Sequence, residues 1–125
     1  MMEARPVFSV KEEFVEDFKR RTKEFVLRSV RVFQALPKTE EAQILGRQFL
    51  RSASSTGANY RATCRARSKD EFYAKLSITI EEANESLFWM EILAESKIIP
   101  LNRLESLMQE ATEIVKILSK ARKNT

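Results

Sequence analysis

The sequence predicts an all-α protein: a single-domain, antiparallel four-helix bundle of the up-down type. Apolar residues recur every three or four positions over long stretches, which is the period of an amphipathic helix. Only two glycines and three prolines occur in 125 residues, so the chain has little of the turn chemistry that β-sandwiches and barrels need. A chain of this length holds one well-buried core, and helices joined by short connections pack as antiparallel neighbours.

The first two helices are delimited by a proline and a capping residue. The first is predicted from about Val10 to Leu36, because Pro37 cannot continue it. Thr39 precedes two glutamates, a pattern that supplies an N-cap oxygen and first-turn acids. The second helix is therefore predicted to begin near Glu40.

The third and fourth helices are delimited by a capping box and a second proline. Ser68-Lys69-Asp70-Glu71 has the form of that box, so the third helix is predicted from about Lys69 to about Glu95. Pro100 separates it from a fourth helix that begins at about Leu101. The expected organisation is an N-terminal tail over residues 1–9, the bundle over 10–121 and a frayed C-terminal tail over 122–125.

Each predicted helix has one stripe of core residues. The stripe of the second helix has unusually small members, which lets a neighbouring helix approach closely. Gly57 costs about 1 kcal/mol relative to alanine inside a helix, so it indicates a close contact or a local kink. The predicted core positions are Phe18, Thr22, Phe25, Ser29, Val32 and Leu36 in the first helix, with Phe14, Val26 and Phe33 widening its stripe, Leu45, Phe49, Ala53, Thr56, Tyr60 and Thr63 in the second, Phe72, Leu76, Ile80, Ala83, Leu87, Met90 and Ala94 in the third, and Leu104, Leu107, Met108, Ala111, Ile114, Val115 and Leu118 in the fourth.

The composition argues against an enzyme. The chain has no histidine and a single cysteine, Cys64, so it can form neither a Ser-His-Asp nor a Cys-His arrangement. We expect Cys64 to be a packed small residue. Glu85 could share a metal with Glu81 or Glu82, but paired metals in bundles require Glu-x-x-His pairs. Without a glycine-rich phosphate loop either, the expectation is no catalytic residue, no metal and no cofactor.

The sequence also predicts the location of the protein. No stretch approaches the roughly 18 apolar residues of a membrane span, and the first ten residues lack the apolar centre of a signal peptide. A lone cysteine fits a reducing compartment. We expect a cytoplasmic protein that does not contact a membrane.

The most informative feature is the separation of charge between the second and third helices. No acidic residue occurs from Ala42 to Lys69, whereas the third helix is rich in glutamate. Four arginines of the second helix fall within about 80° of one another around its axis, with Ser54 and Ala58 between them, which predicts a shallow basic groove. The candidate nucleic-acid-binding residues are Arg47, Arg51, Arg61, Arg65, Arg67 and Lys69.

This basic face has three interpretations. It is a solvated face, a set of arginines that clamp phosphates, or a set that meets the acidic helix of another subunit. The net charge of +4 is only modestly basic. Phe88 and Trp89 are adjacent, so one of them must point away from the core and is a candidate subunit contact. The candidate oligomer contacts are Gly57, Glu81, Glu85, Phe88 and Trp89.

Three segments resemble the bacterial four-helix-bundle proteins known as 23S rRNA intervening-sequence proteins. They are Arg-Ser-Ala-Ser-Ser-Thr-Gly-Ala-Asn-Tyr-Arg at residues 51–61, Ala-Arg-Ser-Lys-Asp-Glu-Phe at 66–72, and Glu-Glu-Ala-Asn-Glu-Ser leading into Trp-Met-Glu at 81–91. The resemblance covers about residues 14 to 120. Residues 55–57 are Ser-Thr-Gly where many relatives have Ser-Ile-Pro, so this chain resembles the glycine-bearing subgroup.

The resemblance implies a cytoplasmic bundle that assembles as a ring, typically a pentamer, with no known catalytic activity. It also implies kinship with the accessory protein of diversity-generating retroelements, a basic ring that binds nucleic acid and partners a reverse transcriptase. We therefore expect a non-enzymatic homo-oligomer that binds structured RNA, or DNA, through the second helix. The alternative is an interaction or assembly protein, whose charged faces serve ring formation and the docking of a protein partner.

Overall fold

A computed structural model describes the backbone of residues 6–124 and the side chains of residues 12–124. Its elements are α1 (Pro6–Ala35), α2 (Glu40–Thr63), α3 (Lys69–Glu95), a 3-10 turn (Leu101–Arg103) and α4 (Glu105–Lys123). Each helix packs on the next in the chain, and α4 returns to pack on α1. The α2–α3 contact is the most extensive, and the α1–α4 contact is sparser than the contacts between consecutive α-helices. The predicted all-α four-helix bundle is confirmed.

Two helix starts differ from the predicted positions. α1 begins at Pro6 instead of Val10, so residues 6–9 of the expected tail are helical, and residues 1–5 lie outside the described part of the chain. A proline is tolerated there because first-turn amides have no helical partner. α4 begins at Glu105, since Leu101–Arg103 form a 3-10 turn, and it continues to Lys123, two residues into the expected frayed tail.

Side-chain caps begin α2 and α3. The Thr39 hydroxyl accepts the Ala42 amide at 3.3 Å, and the Ser68 hydroxyl accepts the Glu71 amide at 3.0 Å, as predicted. The Glu71 carboxylate departs from the capping box, because it accepts the amide of Arg67 at 2.7 Å and not that of Ser68. This hydrogen bond lowers the pKa of Glu71 and ties the α2–α3 loop to the start of α3.

A Schellman motif ends α3. The Lys97 amide donates to the Ala94 carbonyl at 3.0 Å, and the Ile98 amide donates to the Leu93 carbonyl at 3.0 Å. Lys97 has a φ of 62°, the left-handed conformation that glycine usually supplies at this position. The motif satisfies the last carbonyls of α3 and turns the chain toward α4.

The core lies along the axis of the bundle and follows the predicted stripes. Most of the predicted positions are buried, and Val26, Val32, Phe33, Leu45, Phe72, Leu87, Ala94, Met108 and Val115 are half-buried. The prediction was wrong for Phe14, which is 46% exposed because it stacks on the outside of Phe18, with ring centroids 5.7 Å apart. Ala42, Gly46, Ser52, Thr79, Ser86, Leu93 and Ile99 are buried as well, although the predicted stripes do not include them.

Five buried hydroxyl residues of α2 and α3 form a set that we call the hydroxyl row: Ser52, Thr56, Thr63, Thr79 and Ser86. Each donates to a carbonyl three or four residues earlier in its own helix, at 2.6 to 3.0 Å. The Thr63 and Thr79 hydroxyls also lie 3.4 Å apart across the helix pair. Among the described residues no buried side-chain polar atom lacks a hydrogen-bond partner, so small polar residues let α2 and α3 pack closely without an unsatisfied group.

Both glycines allow α2 to approach α1. A Cβ at Gly57 would lie 2.7 Å from Val26 Cγ2, and a Cβ at Gly46 would lie 2.5 Å from Leu36 Cδ1. The tight contact predicted at Gly57 is therefore found within one subunit, between α1 and α2.

Candidate nucleic-acid interface

The six candidate nucleic-acid-binding residues are all exposed. Arg47, Arg51, Arg61 and Arg65 lie along α2 and the start of the following loop, whereas Arg67 and Lys69 lie beyond them at the end of the bundle. Within the described residues, no carboxylate forms an ion pair with Arg47, Arg61, Arg65 or Lys69, and Arg67 makes a 3.7 Å pair with Glu71. Most of the basic charge of α2 therefore faces solvent in the single subunit.

Arg51 is the exception, because it binds two carboxylates of α3. Its Nη1 lies 3.2 Å from Glu82 Oε1, and its Nη2 forms an ion pair with Glu85 Oε2. We call this group the Arg51 clamp. The indole of Trp89 donates to the same Glu85 oxygen at 3.0 Å, and this bond, together with Arg51, lowers the pKa of Glu85. At Arg51 the basic helix thus meets the acidic helix of its own chain.

A basic groove of about 420 Å³ runs between α1 and α2. Lys19 and Lys23 of α1 line it together with Arg61 of α2. Its remaining lining is Thr22, Val26, Leu27, Ser54, Gly57 and Ala58. Lys19 also pairs with Glu16 at 3.1 Å, whereas Lys23 has no ion-pair partner among the described residues. The structure confirms that Ser54 and Ala58 are exposed on the basic side of α2, and it adds a second wall from α1.

Sequence reasoning missed both lysines of α1. Lys19 and Lys23 are four residues apart and share a helix face, which was a detectable signal. Their relation to Arg61 could not be detected, because it depends on α1 packing against that side of α2.

The candidate oligomer contacts occupy different environments. Phe88 is 48% exposed and is the ring that points outward, while Trp89 is half-buried and packs edge-on against it with centroids 4.9 Å apart. Glu81 is exposed, but Glu85 belongs to the Arg51 clamp and Gly57 faces α1 of the same chain. Phe88 and Glu81 are therefore the members most available to another subunit.

The remaining candidates for chemistry lie apart from one another. Cys64 is half-buried against the core, and burial raises the pKa of its thiol, which disfavours the reactive thiolate. Glu82 and Glu85 both contact Arg51, and no group of three metal-ligating side chains comes together in the described part of the chain. No helix among the described residues is both long and apolar enough to cross a membrane.

Known proteins share this fold and sequence pattern. A family model described as 23S rRNA-intervening sequence protein matches residues 16–120. A crystal structure of a protein with unknown function from the S23 ribosomal protein family of Bacteroides thetaiotaomicron is 35% identical, with a TM-score of 0.79, and the similarity covers 84% of this chain and 97% of that one. Among curated proteins no significant match occurs. The match over most of the chain shows that this protein belongs to the 23S rRNA-intervening sequence protein family.

Proposed function

We propose that this protein is a non-enzymatic, cytoplasmic nucleic-acid-binding protein that holds phosphates with the basic face of α2 and prefers structured RNA. The observation that carries the proposal is the exposure of Arg47, Arg61 and Arg65 within the stretch from Ala42 to Lys69, which has no acidic residue, without an ion-pair partner among the described residues. Guanidinium groups bind phosphate oxygens through two parallel hydrogen bonds, which suits them to this task.

The Arg51 clamp reduces the contribution of Arg51. A phosphate would have to displace Glu82 and Glu85, both of which already satisfy the guanidinium. The binding surface is therefore centred on Arg47, Arg61 and Arg65. Arg67 and Lys69 extend this surface toward the end of the bundle.

Contacts of this kind position a nucleic acid without reading its bases. Binding is therefore expected to show little sequence preference and to weaken steeply as salt is raised, because each neutralised phosphate releases condensed counterions. Repetition of the surface around an oligomer would add avidity wherever one RNA reaches several copies.

The test compares two triple variants with the same change in charge. The first replaces Arg47, Arg61 and Arg65 by glutamine. The control replaces Lys116, Lys120 and Lys123 by glutamine on α4, which packs against α1 and α3. Fluorescence anisotropy with a labelled RNA hairpin, over a salt series, measures the affinity of each.

The α2 variant is expected to lose at least about tenfold in affinity, and its salt slope should fall by up to about 3, since each lost phosphate contact removes about 0.9. The α4 variant should change little. An equal loss in both variants would show that only net charge matters and would overturn the assignment to α2. Circular dichroism and light scattering establish that fold and mass are unchanged.

The alternative function is assembly, and the exposure of Phe88 beside the acidic face of α3 favours it. A contact between this face and the basic α2 of another copy would be heterologous, and such contacts close into rings when the rotation allows. In this alternative the protein is a homo-oligomer, a pentamer as the family resemblance implies, that docks a protein partner. Light scattering tests it: a mass near the monomer value of 14.5 kDa would exclude it, and Phe88→Ser should weaken any oligomer.

A further inference from the structure

The basic groove between α1 and α2 has a cationic rim and an apolar floor. Lys19, Lys23 and Arg61 supply the positive charge from both of its walls. Val26 and Leu27 are the two large apolar residues of its lining, and Leu27 is 43% exposed. The groove therefore combines positive charge with accessible apolar surface.

The charge of the groove suits an anion. Lys19 forms an ion pair with Glu16 at 3.1 Å, and among the described residues no carboxylate pairs with Lys23 or Arg61. None of the acidic side chains that the structure describes lines the groove itself. Its volume of about 420 Å³ lies in the range of roughly 300 to 1,000 Å³ typical of ligand sites, so it can admit a compact unit of a ligand.

Small residues on α2 keep the floor open. Ala58 is exposed and Gly57 lies beside it, so no α2 side chain longer than a methyl group covers Val26 and Leu27 from these two positions. A polynucleotide that enters the groove therefore meets positive charge at the rim and aliphatic carbon at the bottom.

An unpaired strand matches this combination better than a duplex. In a duplex the bases are stacked and paired, so it offers mainly phosphate and sugar to a protein surface. An unpaired nucleotide also offers the flat face of its base, and sequence-tolerant single-strand sites pair a positive groove with a surface that receives such faces. Here aliphatic side chains would take the place of the usual aromatic ones.

We propose that the α1–α2 groove binds a single-stranded segment of nucleic acid, with phosphates on Lys19, Lys23 and Arg61 and a nucleobase or ribose on the Val26–Leu27 floor. This inference rests on the proposed nucleic-acid function, whose substrate class it narrows to unpaired strands, such as the loops of a structured RNA. α1 thus contributes half of a site that the sequence assigned to α2 alone.

Filling the floor without a change in charge tests the inference. Ala58→Gln places a longer neutral side chain, with good helix propensity, over the floor. Ala74→Gln makes the same substitution at an exposed position of α3 and serves as the matched control. The probes are a short labelled oligo-uridine and a labelled blunt RNA duplex of the same length, measured by anisotropy at one salt concentration.

Ala58→Gln is expected to lower oligo-uridine affinity several-fold, less than the roughly tenfold or greater loss of a base stacked on an aromatic ring because the floor is aliphatic, and to change duplex affinity by less than about twofold. Ala74→Gln should alter neither. Lys23→Gln provides a second variant should Ala58→Gln fold poorly, and it should reduce the single-strand salt slope by about 0.7.

Four outcomes would overturn the inference. An equal effect of Ala58→Gln on both probes, or none on either, would show that the floor is not used. Preference of the unaltered protein for the duplex would remove the single-strand assignment but leave the proposed function standing. Binding of neither probe would refute the proposed function together with this inference.

Discussion

The contact between Gly57 and Val26 predicts a substitution whose effect changes sign with its background. Gly57→Ala places a methyl group 2.7 Å from Val26 Cγ2. Val26 cannot easily turn aside, because a β-branched side chain has essentially one χ1 rotamer in a helix. Overpacking of this kind typically destabilises by about 1 to 3 kcal/mol. Alanine is better than glycine in a helix by about 1 kcal/mol, so the net loss is expected to be between about 0 and 2 kcal/mol.

Removing the obstacle should reverse the result. In a Val26→Ala background the nearest remaining atom to the new methyl group is the Thr22 carbonyl oxygen at 3.5 Å, an ordinary van der Waals contact. Only the helix-propensity term then remains, and Gly57→Ala is expected to stabilise by about 1 kcal/mol. The coupling free energy between the two substitutions is therefore about 1 to 3 kcal/mol.

Urea unfolding of the four members of this cycle measures the coupling. Helicity by circular dichroism follows the transition, at one fixed protein concentration because assembly would shift the midpoint. Ala58→Gly, at the neighbouring exposed position, measures the propensity term alone and should destabilise by about 1 kcal/mol. If Gly57→Ala stabilises the unaltered background as much as the Val26→Ala background, the close contact does not exist and the reasoning is refuted.

Three further predictions concern polar and backbone features. Arg21 makes two bonds to Glu110, at 2.6 and 3.0 Å, across the α1–α4 contact. A lysine at position 21 cannot form both hydrogen bonds, so the free energy of unfolding of Arg21→Lys, measured with urea, should be lower by about 1 kcal/mol. An unchanged free energy of unfolding would contradict the role of this pair. The pKa of Glu85 in the folded protein lies below its ordinary value of 4.5. Its ion pair therefore stabilises the fold above pH 4.5, and this stabilisation is lost as the pH falls through the lower pKa of the folded state. Urea midpoints of Glu85→Gln and the unaltered protein should therefore converge in acid, and a constant gap would count against the pair. Lys97→Gly should raise the thermal midpoint, because glycine adopts the left-handed φ of 62° without strain. The expected gain in the free energy of unfolding is a few tenths to about 1 kcal/mol. A lower midpoint would disprove this prediction.

Local signals made the middle of the fold predictable. Thr39 and Ser68 cap their helices through their own side chains, so the starts of α2 and α3 follow from short sequence patterns. The 3-10 turn before α4 leaves no comparable pattern. The hydroxyl row was partly missed because Ser52, Thr79 and Ser86 are polar by composition, yet each satisfies its hydroxyl on its own helix and behaves as a small apolar residue.

The candidate site was predictable only as far as a single helix determines it. The exposure of Arg47, Arg61 and Arg65 follows from helical geometry and the position of the apolar stripe. The binding of Arg51 by carboxylates, and the place of Lys23 beside Arg61, depend on which helices become neighbours and in what alignment. Those are tertiary properties that charge patterns along one helix do not encode.

The contact between α2 and α3 combines the hydroxyl row in its interior with the Arg51 clamp on its outer side. Both features bear on the register of the two helices. Large side chains such as Phe49 and Leu76 are buried in the same core, so a slide of one turn, about 5.4 Å, would disturb their packing as well as the ionic contact. The Arg51 clamp distinguishes such registers, because Glu82 and Glu85 lie on one turn.

A slide by one turn would place Arg51 opposite Ile78 and Glu81 in one direction, and opposite Ser86 and Trp89 in the other. Either alignment removes at least one carboxylate from the guanidinium. An arginine on the outside of the bundle thus adds to the preference for one longitudinal alignment that the buried side chains already impose, by no more than about 1 kcal/mol because its side chain is half exposed.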